Sequence, residues 1–97
     1  MLKPRLAVFI PDVTPNQYES EKVPDPLVYM VFIDPESTWR WFVLEYNRED
    51  LECYGLVIGH EAELGNFSLE EISSLERIRP IENWQPTPLS LVRKVNR

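Results

Sequence analysis

Two consecutive runs of β-branched and aromatic residues constrain this chain more than anything else in it. Leu27-Val28-Tyr29-Met30-Val31-Phe32-Ile33 is apolar without a break and ends at Asp34-Pro35-Glu36-Ser37. Thr38-Trp39-Arg40-Trp41-Phe42-Val43-Leu44-Glu45-Tyr46 follows at once and ends at Asn47-Arg48-Glu49-Asp50. Such residues fit a pleated, buried surface, and a short polar, proline-containing break between two such runs marks a turn. The pair therefore reads as a hairpin, its first strand central because it is apolar on both faces. Period-two alternation sets Trp39, Trp41, Val43 and Glu45 on one face of the second strand and Arg40, Phe42, Leu44 and Tyr46 on the other. A third strand is expected over Leu51-Glu52-Cys53-Tyr54-Gly55-Leu56-Val57-Ile58-Gly59. Within it, Gly55 signals a bulge or the close approach of a large side chain, with a tryptophan as the candidate neighbour.

The flanks read differently. Pro4, Pro11, Pro15, Pro24 and Pro26, five of the nine prolines, fall in residues 1–26 and exclude a long helix there. A short extended piece at Leu6 to Ile10 and then irregular loop are expected, with Tyr18 and Val23 as anchors. Ser68 and Glu71 have the spacing of a capping box, and Leu69, Ile72, Leu75 and Ile78 follow at helical spacing until Pro80 stops them. Near the end, Thr87 can act as N-cap with Pro88 at the first helical position, opening a short helix that needs Leu89, Leu91 or Val92 to dock on the body. The expected fold is α+β: a three- or four-stranded antiparallel meander with the Ser68 helix across one face and a short C-terminal helix.

Length and charge limit what such a fold can be used for. Ninety-seven residues give room for one core, and 43% hydrophobic with 27% charged residues is an ordinary globular composition, so a single domain over 1–97 is expected. Sixteen Asp and Glu against ten Lys and Arg give a net charge of −6, which repels phosphate backbones; no nucleic-acid partner is expected. The one cationic cluster, Arg93, Lys94 and Arg97, reads as a solvated helix end. Cys53 is the only cysteine, so no intrachain disulfide or thiolate zinc site can form, in keeping with a reducing, cytoplasmic location. Leu6 to Ile10 is too short for a signal-peptide core, and no run approaches the roughly 20 apolar residues of a membrane helix, so no membrane partner is expected.

From Asp25 onward the chain resembles a family of short bacterial, plasmid and phage proteins known only as a domain of unknown function. The resemblance is carried by Asp25-Pro26-Leu27-Val28-Tyr29, by Pro35, Ser37 and the Trp39-x-Trp41 pair, and by Glu45 and Tyr46. Gly55 through Gly65, Phe67-Ser68-Leu69 and Pro86-Thr87-Pro88-Leu89 extend it over about two thirds of the chain. Asn66 stands where that family usually has an aromatic, and Arg77 to Glu82 depart from its pattern. The resemblance implies a fold and a mobile-element setting, and no reaction.

Two constellations carry chemistry. In His60-Glu61-Ala62-Glu63 an imidazole stands beside two carboxylates, as a general base or part of a metal site would require. Against this, extended geometry points Glu61 and Glu63 one way and His60 the other, and such a cluster is most often a solvated loop. The Trp39 and Trp41 pair either packs under a helix, the default, or forms an aromatic platform; flanked by acidic groups such as Glu45, a platform suits a protein partner with basic and apolar features. Cys53 reads as a buried, inert thiol. The leading functional expectation is a small acidic protein-interaction module using Trp39, Trp41, Glu45, His60, Glu61 and Glu63, with no cofactor. The alternative is an enzyme or metal-dependent accessory built on His60 with Glu61 or Glu63.

Overall fold

The computed structural model describes residues 3–96. Its centre is a five-stranded antiparallel sheet of order β5-β4-β3-β2-β6, one or two strands more than the sequence pattern suggests. The strands are β2 (Met30–Ile33), β3 (Arg40–Asn47), β4 (Glu52–Ile58), β5 (Ala62–Ser68) and β6 (Arg79–Pro80). Chain neighbours pair in hairpins from β2 to β5, and β6 returns to the free side of β2. The first apolar run does not stay in this sheet: β1 (Leu27–Val28) turns away at Tyr29 to pair with β7 (Thr87–Pro88) as a separate two-stranded ribbon.

Apolar side chains fill both faces of the sheet, which explains the unbroken hydrophobicity of β2 and β3. One face carries Met30, Phe32, Trp41, Val43, Tyr46 and Cys53, covered by Leu6 and Ile10 from the N-terminal segment and by Leu69, Ile72 and Ile78. The other carries Val31, Phe42, Leu44 and Leu56, covered by Val28 and by Leu89 and Val92 of α2 (Leu89–Val95). Helices thus lie on both sides.

Several local expectations are corrected. Residues Arg5–Phe9 form a 3₁₀ turn rather than an extended piece, because Pro4 accepts the Ala7 N–H and Ala7 that of Ile10. Tyr18 and Val23 are exposed and anchor nothing. The segment is held instead by Leu6, by Arg48 donating to the carbonyls of Pro11, Asp12 and Thr14, and by the Tyr46 N–H on the Pro15 carbonyl. The capping box forms as expected, with Ser68 Oγ accepting the Glu71 N–H at 3.0 Å, but α1 stops after Leu69–Ser73. The Ser73 carbonyl and, beyond the helix, those of Leu75 and Ile78 accept N–H groups of the Arg5 guanidinium, and Ser74 Oγ donates to the Glu71 carbonyl. Such partners replace further helical turns. At α2 the cap is not Thr87: the Asp25 carboxylate accepts the Ser90 N–H and Oγ–H, a cap supplied from 65 residues away.

A β-bulge decides which side chains face where. Val43 pairs with Gly55 and Glu45 with Tyr54, leaving Leu44 as the extra residue. The shift moves Tyr46 onto the Trp41 face and Glu45 onto the opposite one. Gly55 lies at this bulge, and a Cβ there would run into the Phe42 carbonyl; its neighbour is backbone, not a tryptophan. The tryptophan lies over Gly59 instead.

Candidate functional site

Rows of cross-strand neighbours show where the Trp41 face is sealed and where it opens. One row runs Phe32, Trp41, Val57, Glu63 from β2 to β5. Phe32 is fully buried and Trp41 is 8% exposed, whereas Glu63 is in solvent. The next row runs Met30, Val43, Gly55, Gly65 and ends in two residues without side chains. α1 packs against β4, β5 and the N-terminal turn, and between it and Trp39 the β4–β5 corner is left as an open groove of about 750 Å³, with Glu71, Ile72 and Leu75 on its α1 side.

Trp39 forms one end of this groove, and the preceding turn fixes it. The Asp34 N–H donates to the Trp39 carbonyl, Ser37 Oγ accepts the Trp39 N–H, and Asp34 Oδ1 accepts the Glu36 N–H. The ring then lies on Gly59, so closely that a Cβ there would come within 2.5 Å of it. Its centroid is 6.0 Å from that of Trp41, tilted 31°, and 5.8 Å from His60, edge-on at 80°, distances at which aromatic rings attract one another. Trp39 keeps 37% of its surface exposed, so it is half platform and half packing, while Trp41 belongs to the core.

Charge is distributed with one sign. Glu52, Glu61, Glu63 and Glu71 line the groove, and among the described residues no Lys or Arg does. Phe67 and Ile72 supply an apolar wall. Five of the six residues singled out from the sequence, Trp39, Trp41, His60, Glu61 and Glu63, therefore converge here through the register of one pair of hairpins.

Glu45 does not join them. The bulge carries it to the other face, where it is buried and its carboxylate accepts the N–H groups of Tyr18 and Ser20 and the Ser20 hydroxyl. It fastens the proline-rich loop, holding Tyr18 at a φ of 68°, a backbone region uncommon outside glycine. Conversely, Glu52, Glu71 and Gly65 line the groove without being among the six interaction residues named from the sequence. Glu71 could have been found through the capping box, which places it on the first turn after β5.

The remaining candidates are quieter. Among the described residues no three His, Cys, Asp or Glu side chains cluster as metal ligands, and the His60 ring meets Trp39 edge-on. Cys53 is buried in the core, and burial, with nearby Glu52 adding to it, pushes its thiol far up, so it stays protonated. Among the described residues no helix is long and apolar enough to cross a membrane. Comparison with protein-family models, with curated proteins and with solved structures returns no match for the chain.

Proposed function

We propose that this chain is a protein-interaction module whose β4–β5 groove receives a basic, partly apolar segment of another protein. The observation that supports this reading is the groove itself: Trp39 and Phe67 in a concave site bordered by four glutamates, with no Lys or Arg among the described residues that line it. Tryptophan offers its face to an ammonium or guanidinium group, and a surface of one sign steers an oppositely charged partner to it.

Magnitudes indicate the kind of complex. Each exposed ion pair contributes about 0 to 1 kcal/mol and a cation over an exposed tryptophan about 0.5 to 1, so side-chain contacts alone suit a weak, rapidly exchanging partner.

Gly65 supplies the test, since a Cβ there meets nothing within 4 Å and a bulky side chain would occupy the groove without touching the core. Random-peptide libraries selected on wild type should enrich Lys- or Arg-containing sequences with an apolar residue, and Gly65→Phe should not enrich them. Enrichment that ignores Gly65→Phe, or that lacks cationic residues, would refute the reading.

A further inference from the structure

The two edges of the sheet are finished in opposite ways. On one side β6 is two residues long and ends in Pro80, which has no N–H to offer; short strands and prolines are how sheet edges are protected from pairing. On the other side β5 runs seven residues, Ala62–Ser68, without proline or lysine and in unbroken register with β4. Its backbone direction can be read from its ends. The Glu61 carbonyl accepts the Gly59 N–H and the Leu69 N–H donates to the Leu51 carbonyl, so the odd-numbered residues aim their peptide groups toward β4. By strand alternation Ala62, Leu64 and Asn66 aim theirs outward. All three are exposed, and among the described residues their N–H and C=O groups have no partner on that side.

We infer that β5 is a strand-addition site: a partner segment enters extended, pairs with this edge, and lays alternate side chains into the acidic groove. The inference rests on the groove reading above and names its mode. A strand added about 4.8 Å from β5 repeats its side chains every ~6.8 Å on one face. On the groove face it passes Glu61, Glu63, Gly65 and Phe67 in turn. Cationic side chains suit the first two positions, a bulky apolar one the space over Gly65. Pairing through the backbone supplies the affinity that exposed charges lack.

A second copy of this chain is the wrong occupant. An antiparallel pair of β5 strands would bring Glu61 and Glu63 of both copies onto one face, between chains that each carry a net charge of −6.

The probe is a synthetic nine-residue peptide alternating lysine with threonine and carrying leucine in place of the central lysine, titrated by fluorescence anisotropy at low salt. Two backbone-methylated versions accompany it, one methylated at the threonines and one at the lysines and leucine. An added strand turns only alternate N–H groups toward β5, so one version should bind at least tenfold more weakly and the other nearly as well as the parent. Asn66→Pro, which removes an outward N–H and no β4 bond, should weaken the parent peptide at least tenfold in protein whose circular dichroism is unchanged. If both methylated peptides and Asn66→Pro bind normally while Gly65→Phe abolishes binding, strand addition is refuted and the groove reading stands. If wild type does not bind the peptide, the inference falls, and the library selection decides the groove separately; binding insensitive to Gly65→Phe removes both.

Discussion

Around Phe32, Trp41 and Val43 the Trp41 face of the sheet is sealed by Leu6, Leu69, Ile72 and Ile78; toward Glu63 and Gly65 of β5 the same face opens to solvent, with Phe67 at its border. The two halves belong to one continuous set of hairpins, so the difference lies in the covering. α1 borders the groove from β4 and β5, with Glu71 and Ile72 on its groove side, and Arg5 ties the Ser73 carbonyl and those of Leu75 and Ile78 beyond it to the N-terminal turn. A longer helix, as the Leu69–Ile78 periodicity suggests, would have had the residues to cover more. At the open corner the β4–β5 side chains include the small and acidic Gly65, Glu52 and Glu63 that an open corner requires.

The two tryptophans measure this contrast most strongly. Trp41→Ala removes a ring from the sealed half and should cost about 3 to 5 kcal/mol in urea unfolding. Trp39→Ala removes one that is already 37% exposed and stacked on a glycine, and should cost about 1 to 2 kcal/mol. The smaller loss should come with weaker binding of cationic peptides, which separates a recognition ring from a packing one. Equal losses would mean that the groove end is as closed as the core.

The glycines sharpen the comparison, because one substitution should change sign along a single row. Gly55→Ala forces a Cβ into the Phe42 carbonyl at the bulge and should destabilise by about 2 to 3 kcal/mol. Gly65→Ala, its cross-strand neighbour, meets open space at a φ that is not positive, and should stabilise by about 0.4 to 1 kcal/mol by restricting the unfolded chain. Thermal unfolding of the two variants side by side checks both signs. Two destabilisations would show that the groove is filled in solution.

What the sequence discloses follows the same boundary. β2, β3 and β4 are legible because buried strands must be β-branched and aromatic, and Leu27 to Ile58 is written that way. β5 is not, since Ala62-Glu63-Leu64-Gly65-Asn66 is exposed on an edge, where nothing requires apolar alternation. The site was half legible: Trp39, Trp41, His60, Glu61 and Glu63 stand out by residue type, but only hairpin register brings them together. Glu45 was misplaced because alternation assumes an unbroken pleat. The bulge hint at Gly55 was present in the sequence, yet which residue becomes the extra one depends on pairing. Likewise, no local pattern reveals that Asp25 caps a helix beginning at Leu89, a contact made only by the folded chain.

Acid should loosen the coverings of the two faces while leaving the paired sheet, a smaller effect than either substitution series. On the sealed side, Asp34 at the β2–β3 turn holds Arg77, just beyond α1, through both carboxylate oxygens at 3.0 and 3.1 Å. Burial pushes its carboxyl up, but the Glu36 N–H, Arg77 and Ser37 together outweigh burial and leave it below the usual range. Asp25 is lowered by the Ser90 hydroxyl and then the Ser90 N–H, and fastens α2 to the other face. Both groups therefore have folded values below their unfolded ones, and their stabilisation is complete above the unfolded value near 3.9 and is lost as pH falls through the folded one. Urea midpoints compared between pH 7 and pH 2.5 should fall for wild type and fall less for Asp25→Asn with Asp34→Asn. Hydrogen exchange at pH 2.5 should speed first at α1 and α2 and last at β3 and β4. If β3 exchanges together with the helices, the coverings and the sheet unfold as one unit, and the groove's openness is a property of the whole fold rather than of its lid.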